Sequence, residues 1–464
     1  MKRDLSSFVP GDWVKSGVMK RWLPWFVIPL VFSVWVLVTR ASGSGLLEDS
    51  DTRVLLANIQ ERGNPWSWFA GDWPLFNHFY RPVSTLAFEL DLAIWGKNAA
   101  GFGLTNAILA VICIWLCFWV VRELTDHPLT VGIATLIFGI AHVNVGFLGM
   151  VGGWFWALAL LCLAGLGRGK LRDRWWPVLL GVGGCVFFAD LLPGQMDIWY
   201  RVVGWLPGRT ASVMTVFALI SVAAYARYER IGAGVRESEP TAMDLPATKG
   251  TVVTQAGKWN WVWLPVSALG LVLALGSYEQ AVILPGLLTG VCIWFGLQRR
   301  RVRWINLVWM WGLLVGYFVL RASVVPSEVS GYQDQQFRTG AGLYLDLLSY
   351  LLPGFDTVGQ FWGSVSLGAI ALLTAMPWVL GFAMVGNSVS MVGLWGSPRR
   401  WWGLGALLMG FVAYLPMAWL KFFAHYHYLP SVFYALFVAV MGPVVLGWVV
   451  EALSPTRVKA PVRS

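Results

Sequence analysis

Apolar runs of about 18 to 22 residues recur along this chain between residues 22 and 450, and no other feature restricts its fold as much. A helical run of that length matches the hydrocarbon thickness of a bilayer. Backbone groups in lipid must be satisfied within their own segment, so the runs predict membrane-spanning helices and exclude open strands. Twelve are counted, over residues 22–39, 101–121, 128–147, 152–167, 175–192, 210–226, 259–277, 281–297, 304–322, 361–385, 402–420 and 430–450. Of the 464 residues, 57% are hydrophobic and only 12% charged, a balance that a water-soluble domain of this size cannot hide in a core. The expected fold is therefore an all-α integral membrane protein with about twelve transmembrane helices, a single polytopic domain over residues 1–464.

Orientation follows from where Lys and Arg fall between successive runs. With the N-terminus cytoplasmic, 24 of the 34 basic residues lie on the cytoplasmic side and 10 outside. Both termini are then cytoplasmic, the expected location is the plasma (inner) membrane, and the net charge of +10 is a topology signal. A nucleic-acid partner is not expected, because no soluble face gathers basic residues with aromatic platforms. The first run is long enough to span and has no small-residue cleavage site after it, so it is expected to stay as an anchor. The five cysteines, Cys113, Cys117, Cys162, Cys185 and Cys292, all fall inside apolar runs without metal-ligand spacing and read as packing residues.

Two connections outside the membrane stand out, about 40–100 and about 323–360, and a polar cytoplasmic linker covers about 227–258. In the first, "NPWSWFAGDWPLFNHFYRP" has the aromatic content of a segment at the lipid interface. "VSTLAFELDLAIWG" follows, with Leu86, Leu90 and Ile94 four apart, which predicts a short surface helix. Just beyond the first apolar run, "EDSD" crowds Glu48, Asp49 and Asp51 together. Carboxylates this close raise one another's pKa and equip one of them as a general base, although a hydrated helix end is the plainer alternative.

Four more stretches lie at the outer ends of predicted helices: "YRPVSTLAFELDLAIWGKNAAGFGLTNAIL", "GWLPGRTASVMTVFALISVAAYAR", "LGSYEQAVILPGLL" and "HYHYLPSVFYALFVA". In this order, together with "EDSDTRVL", they resemble the polytopic GT-C glycosyltransferases, in particular the protein O-mannosyltransferase-like branch that includes the membrane part of the transmembrane-and-tetratricopeptide family. The resemblance runs from residue 48 to about residue 440. It implies transfer of a sugar from a polyprenyl-phosphate-linked donor to a protein, glycan or lipid acceptor on the extracytoplasmic side, with inversion at the anomeric carbon; no cofactor is expected, and the sequence does not support a divalent metal. It also implies short interfacial helices in the first outer loop.

Carried over by residue, the resemblance makes Asp49 the base, with Glu48 and Asp51 tuning it. Arg81 and Arg209 match arginines that would grip the donor phosphate, as guanidinium geometry suits. Glu279 matches the Glu of the family's Lys-Glu-x-Ala run, and Tyr426 the first Tyr of its Arg-Tyr-x-Tyr run. The chain departs from the pattern at four positions: Tyr278 stands for the Lys, His425 for the Arg, Gly103 for a His, and His142 is followed by Val143 rather than Pro. Protonated His425 and His427 are the expected substitutes for the lost cations. His142 and His127 read as structural histidines. No phosphate-binding glycine loop, His-Glu-x-x-His zinc motif or nucleophile elbow occurs, and two histidines two apart do not make a metal site. The alternatives left open are a catalytically inactive scaffold of the same fold and a twelve-helix transporter or flippase. The transporter would place ionisable residues at the bilayer midplane, whereas here they gather at the outer ends.

Overall fold

The computed structural model describes residues 22–43, 45–125, 127–140, 142, 201–234, 260–298, 302–338, 343–344, 399–421 and 423–453. The expected spans at 152–167, 175–192 and 361–385, most of the second outer connection, Cys162 and Cys185 lie outside the described residues, as does the expected linker beyond residue 234, its first part (227–234) being the end of the helix Arg209–Gly234.

The described chain is helical, its one bridge of strand character being the antiparallel pair Phe337–Leu420. In order, the helices are α1 (Val27–Arg40), α2 (Ser50–Arg62), α3 (Pro82–Trp95), α4 (Ala99–Thr125), α5 (Pro128–Ile140), α6 (Arg209–Gly234), α7 (Trp263–Leu275), α8 (Leu284–Leu297), α9 (Ile305–Val324), α10 (Gly331–Gln336), α11 (Arg399–Tyr414) and α12 (Tyr428–Leu453). Among the described residues, four helical stretches are long and apolar enough to cross a membrane: Ala99–Thr125, Leu206–Gly232, Glu279–Leu297 and Ile305–Val324. This is the construction of a helical membrane protein. On α9, Val308, Trp309, Val315, Phe318 and Val319 are all exposed, a surface suited to lipid rather than water.

Helices α4, α6, α5 and α12 form the centre. α6 packs on α4 and α7, and α12 packs on α5 and α11, while α1 lies along α4 and α5. Polar ties fix the crossings where apolar packing alone is permissive. Trp115 Nε1 donates to Ser33 Oγ at 3.0 Å between α4 and α1. Trp294 Nε1 donates to Leu124 O at 3.0 Å between α8 and the end of α4. Near that same end, Glu123 is buried and paired with Arg227 at 2.9 Å and with Arg230 at 2.8 Å. The free cysteines Cys113, Cys117 and Cys292 are buried and serve as packing groups, as their apolar surroundings suggest. His142 is satisfied on both nitrogens, Nδ1 donating to Phe138 O at 3.0 Å and Nε2 facing Tyr428 Oη at 2.8 Å.

One close crossing directs the first outer connection toward the site. The chain leaves α1 through Gly43 at φ +63°, against the start of α4. A Cβ at Gly103 would fall 2.4 Å from Gly43 N, and one at Gly43 would fall 1.8 Å from Ala99 O. Gly103 stands where the resembled family has His, and at this crossing no side chain fits.

Candidate functional site

A cavity of about 640 Å³ opens at the end of the bundle where α1 and α9 finish and α6, α8 and α12 begin. Its walls come from far apart in the chain: Asp51 on α2, Arg81 at the start of α3, Trp205 before α6, Glu279 before α8, Arg321 near the end of α9, and His425 before α12.

The roof is made by residues 72–80 tied to residues 328–333. His78 Nδ1 donates to Glu328 O at 2.8 Å, Ser330 Oγ donates to Asn77 O at 3.1 Å, and Gln333 Nε2 donates to His78 O at 3.2 Å. Phe76 and His78 hold φ of 51° and 62°, left-handed values that cost a non-glycine residue about 1–3 kcal/mol each and persist only where surrounding bonds impose them. Helix α10 then starts with a reciprocal cap between Ser330 and Gln333. The segment closes on the other wall through Arg338 N to Trp419 O at 2.9 Å and Lys421 N to Gln336 O at 2.7 Å.

Arg81 and Glu279 face each other on the cavity wall. Arg81 Nε donates to Glu279 Oε1 at 3.1 Å and to Oε2 at 2.8 Å, and Nη2 donates to Oε2 at 2.6 Å. The guanidinium lies over the rings of Phe79 and Tyr278 at 4.3 and 4.4 Å, which leaves Nη1 as the amino group not engaged by Glu279. Beside them Tyr278 Oη and His425 Nε2 are hydrogen-bonded at 3.1 Å. The two positions where the resembled family has Lys and Arg are thus partners. Arg321 adds a second cavity cation, one of its Nη groups donating to His78 O at 3.1 Å.

The acidic cluster divides. Asp49 is the N-cap of α2: its Oδ2 accepts from Thr52 N at 3.1 Å, from Thr52 Oγ1 at 3.3 Å and from Trp205 Nε1 at 3.1 Å. Asp51 lines the cavity. Partial burial and the neighbouring Asp49 carboxylate push the Asp51 carboxyl up, against Arg201, which pulls it down. Glu48 is exposed and is not among the cavity's walls.

Of the residues expected to form the site, Asp51, Arg81, Glu279, His425 and Tyr426 meet at the cavity. Arg209 does not, and its expected phosphate role is corrected. Its side chain is wholly buried and donates to Asp91 Oδ2 at 2.5 Å, to Asn106 Oδ1 at 2.5 Å and to Phe102 O at 3.0 Å, so it joins α6 to α3 and α4. His427 is also displaced, buried and stacked 4.7 Å from the Tyr414 ring. The expectation that both histidines act as cations is corrected as well. Burial holds His425 down to about 3, helped by Arg81, Arg201 and His427, and burial alone holds His427 down to about 3.

Arg321 and Trp205 are among the cavity residues that sequence reasoning passed over. Arg321 was visible only as one of ten outer basic residues, and Trp205 only as part of "GWLPGRT". No protein family, curated protein or solved structure matches the chain.

Proposed function

We propose that this protein is a polytopic GT-C-type glycosyltransferase of about twelve spans, with both termini cytoplasmic. It would move a sugar from a polyprenyl-phosphate donor to an acceptor hydroxyl at the extracytoplasmic surface. The observation that carries the reading is the meeting of Asp51, Arg81, Glu279, Arg321, His425 and Tyr426, drawn from five separate parts of the chain, on one cavity at one end of the bundle. The cavity also joins a charged wall to exposed apolar side chains, among them Val54, Phe76 and Phe337, as an amphipathic lipid-linked substrate requires.

In this reading Asp51 takes the base role in place of Asp49, because it faces the cavity and its carboxyl is pushed upward. The acceptor hydroxyl gives its proton to Asp51 and its oxygen bonds to the anomeric carbon. The bond from that carbon to the phosphate oxygen breaks, and the electron pair leaves with the polyprenyl phosphate. Arg81 through Nη1, together with Arg321, faces the departing charge. Glu279 holds the Arg81 plane through the bonds it accepts from Nε and Nη2, and Asp49 orients the start of α2.

Purified protein in liposomes, supplied with polyprenyl-phosphate mannose or glucose and a mixture of peptide and glycan acceptors, tests the reading. Transfer by the wild type, lost in Asp51→Asn, supports it. A second reading, a lipid-carrier scaffold without transfer, is favoured by one observation: Arg81 is neutralised by Glu279, and the lost cations are replaced by a neutral Tyr278–His425 pair. Binding of the carrier by the wild type with no transfer to any acceptor selects that reading.

A further inference from the structure

His425 stands on the cavity wall with its hydrogen bonding half complete. It is 6% exposed, its Nε2 is engaged by Tyr278 Oη at 3.1 Å, and its Nδ1 has no partner among the described residues. A buried nitrogen without a partner is costly, and at a cavity wall the missing partner belongs to what the cavity holds. The imidazole stands among four rings that line the same cavity. It stacks on Phe423 at 5.6 Å, is tilted to Trp205 at 5.8 Å and to Tyr278 at 6.0 Å, and meets Tyr426 edge-on at 4.7 Å. Arg201 lies over the Trp205 and Phe423 rings at 5.0 and 5.4 Å and is not itself among the cavity's walls.

We infer that His425 is a sugar-binding residue, its Nδ1 hydrogen-bonded to a hydroxyl of the donor's sugar in the aromatic corner made by Trp205, Phe423 and Tyr426. This rests on the transferase reading and adds which part of the substrate the Tyr278–His425 pair takes. Charge favours a hydroxyl over a phosphate oxygen here. Tyr278 and His425 stand where the resembled family has Lys and Arg, so two fixed charges are missing from this part of the wall, while Arg81 Nη1 and Arg321 remain for the phosphate. Hydrogen-bond chemistry points the same way. Burial keeps the imidazole neutral, and a neutral imidazole has one donor and one acceptor. With Tyr278 donating to Nε2, Nδ1 donates to the ligand; with Nε2 donating to Tyr278, Nδ1 accepts. A sugar hydroxyl both gives and takes a hydrogen bond and matches either tautomer, whereas a phosphate oxygen matches only the first. The electron-rich faces of aromatic rings also suit the polarised C–H bonds of a sugar ring. A site built to bond a hydroxyl rejects an analogue lacking it more strongly than an apolar pocket does, so one neutral histidine helps to tell a glycosylated carrier from a bare one.

The test uses the full chain in nanodiscs and measures dissociation constants for the wild type, His425→Gln and His425→Asn. The ligands are a bare polyprenyl phosphate and the same carrier bearing mannose, glucose, galactose or arabinose. Gln extends its amide to the place of Nε2 and keeps the Tyr278 bond, whereas Asn holds its amide near Nδ1. The wild type should bind at least one glycosylated carrier more tightly than the bare one. His425→Gln should lower that affinity about ten-fold and leave the bare carrier unchanged, and His425→Asn should keep most of the preference. An equal loss for bare and glycosylated carriers in His425→Gln overturns the inference in favour of a phosphate contact. No loss for either overturns it in favour of a water at Nδ1. A wild type that binds carriers with no preference for any sugar overturns the inference and spares the transferase reading, whereas a wild type that binds no carrier overturns both. Carriers whose preferred sugar lacks one hydroxyl at a time give an answer that needs no variant. One of them should bind the wild type about ten-fold more weakly, and equal binding by all of them overturns the inference.

Discussion

Two of the arginine–carboxylate pairs, Arg209–Asp91 and Arg81–Glu279, are of nearly the same make and quite different use. Arg209 and Asp91 are 0% and 3% exposed, and the guanidinium is bonded to Asp91, Asn106 and the Phe102 carbonyl. Arg81 and Glu279 are 11% and 20% exposed on a cavity wall, with Nη1 of the arginine not engaged by the carboxylate. Both arginines sit at the start of a helix at the same end of the bundle, and the sequence offered both as phosphate ligands. The difference is where the carboxylate comes from. Asp91 lies inside α3, facing α4 and α6, and encloses its partner in the helix packing, whereas Glu279 lies at the turn that opens toward α8 and leaves its partner at the cavity edge. A motif gives the residue, and the carboxylate's position decides whether that residue is a keystone or a contact.

The largest expected effect separates the two pairs directly. Arg209→Met leaves Asp91 buried without its cation and should lower stability by about 3–5 kcal/mol, and the double variant Arg209→Met with Asp91→Leu should recover much of that loss. Arg81→Met should leave the protein folded, with a loss of about 1.5–3 kcal/mol from its charge-assisted bonds, and should weaken binding of a polyprenyl phosphate. Thermal unfolding followed by size-exclusion chromatography measures both. Equal losses for the two single variants would mean that burial does not distinguish the pairs.

The acidic cluster repeats the contrast on a smaller scale, with Asp49 engaged in the helix cap and Asp51 facing the cavity. Asp51→Asn removes the proton acceptor and should slow transfer by at least about 10²-fold, near 2.7 kcal/mol, with carrier binding kept. Asp49→Asn retains an oxygen for Thr52 N and for the Trp205 indole and should be the milder change. The reverse order of rates would return the base role to Asp49.

Acidification probes the burial of His425 and His427. His425 and His427 are held from an ordinary 6.5 down to about 3, so the folded state binds fewer protons than the unfolded chain between those values. Their contribution is full above the ordinary value and is lost as pH falls toward 3. At pH 5 the loss is about 2 kcal/mol for each histidine. Asp51 acts with the opposite sign. Its raised carboxyl favours the folded state below its unfolded pKa, and this is lost as pH rises through the folded value. His425→Gln should therefore flatten the drop in melting temperature below neutrality, and an unchanged slope would mean that His425 is already charged in the folded protein.

Much of this was legible in the sequence because it depends on length and periodicity. Among the described residues, apolar runs foretold α1, α4 to α9, α11 and α12, and the four-residue spacing of Leu86, Leu90 and Ile94 foretold α3. Arg81, Glu279, His425 and Tyr426 were found because each sits at a helix end beside a recurring motif. The errors come from facts that no local pattern carries. Nothing around Arg209 announces Asp91, 118 residues away. His425 and His427 look ionisable until their burial is known, and Arg321 has no motif and reaches the cavity only through the fold.

The smallest effect bears on what Asp49 does besides capping. Asp49→Ala removes the acceptor for Thr52 N and should cost about 1 kcal/mol of stability. Trp205→Phe removes the indole donor and should cost about 0.5–1.5 kcal/mol. Because both act on the same carboxylate oxygen, the double variant should lose less than the sum of the two, and the shortfall measures the bond between them. The kinetic readout then sharpens the division within the acidic cluster. If Asp49 serves only the helix end, Trp205→Phe lowers the melting temperature slightly and leaves the rate at saturating donor unchanged. If the indole bond also sets where the start of α2 places Asp51, the rate falls with donor binding unaltered, and its acid limb shifts because the Asp49 charge felt by Asp51 has moved. A lower affinity for donor at an unchanged rate would fit neither case and would assign Trp205 to the donor rather than to the base.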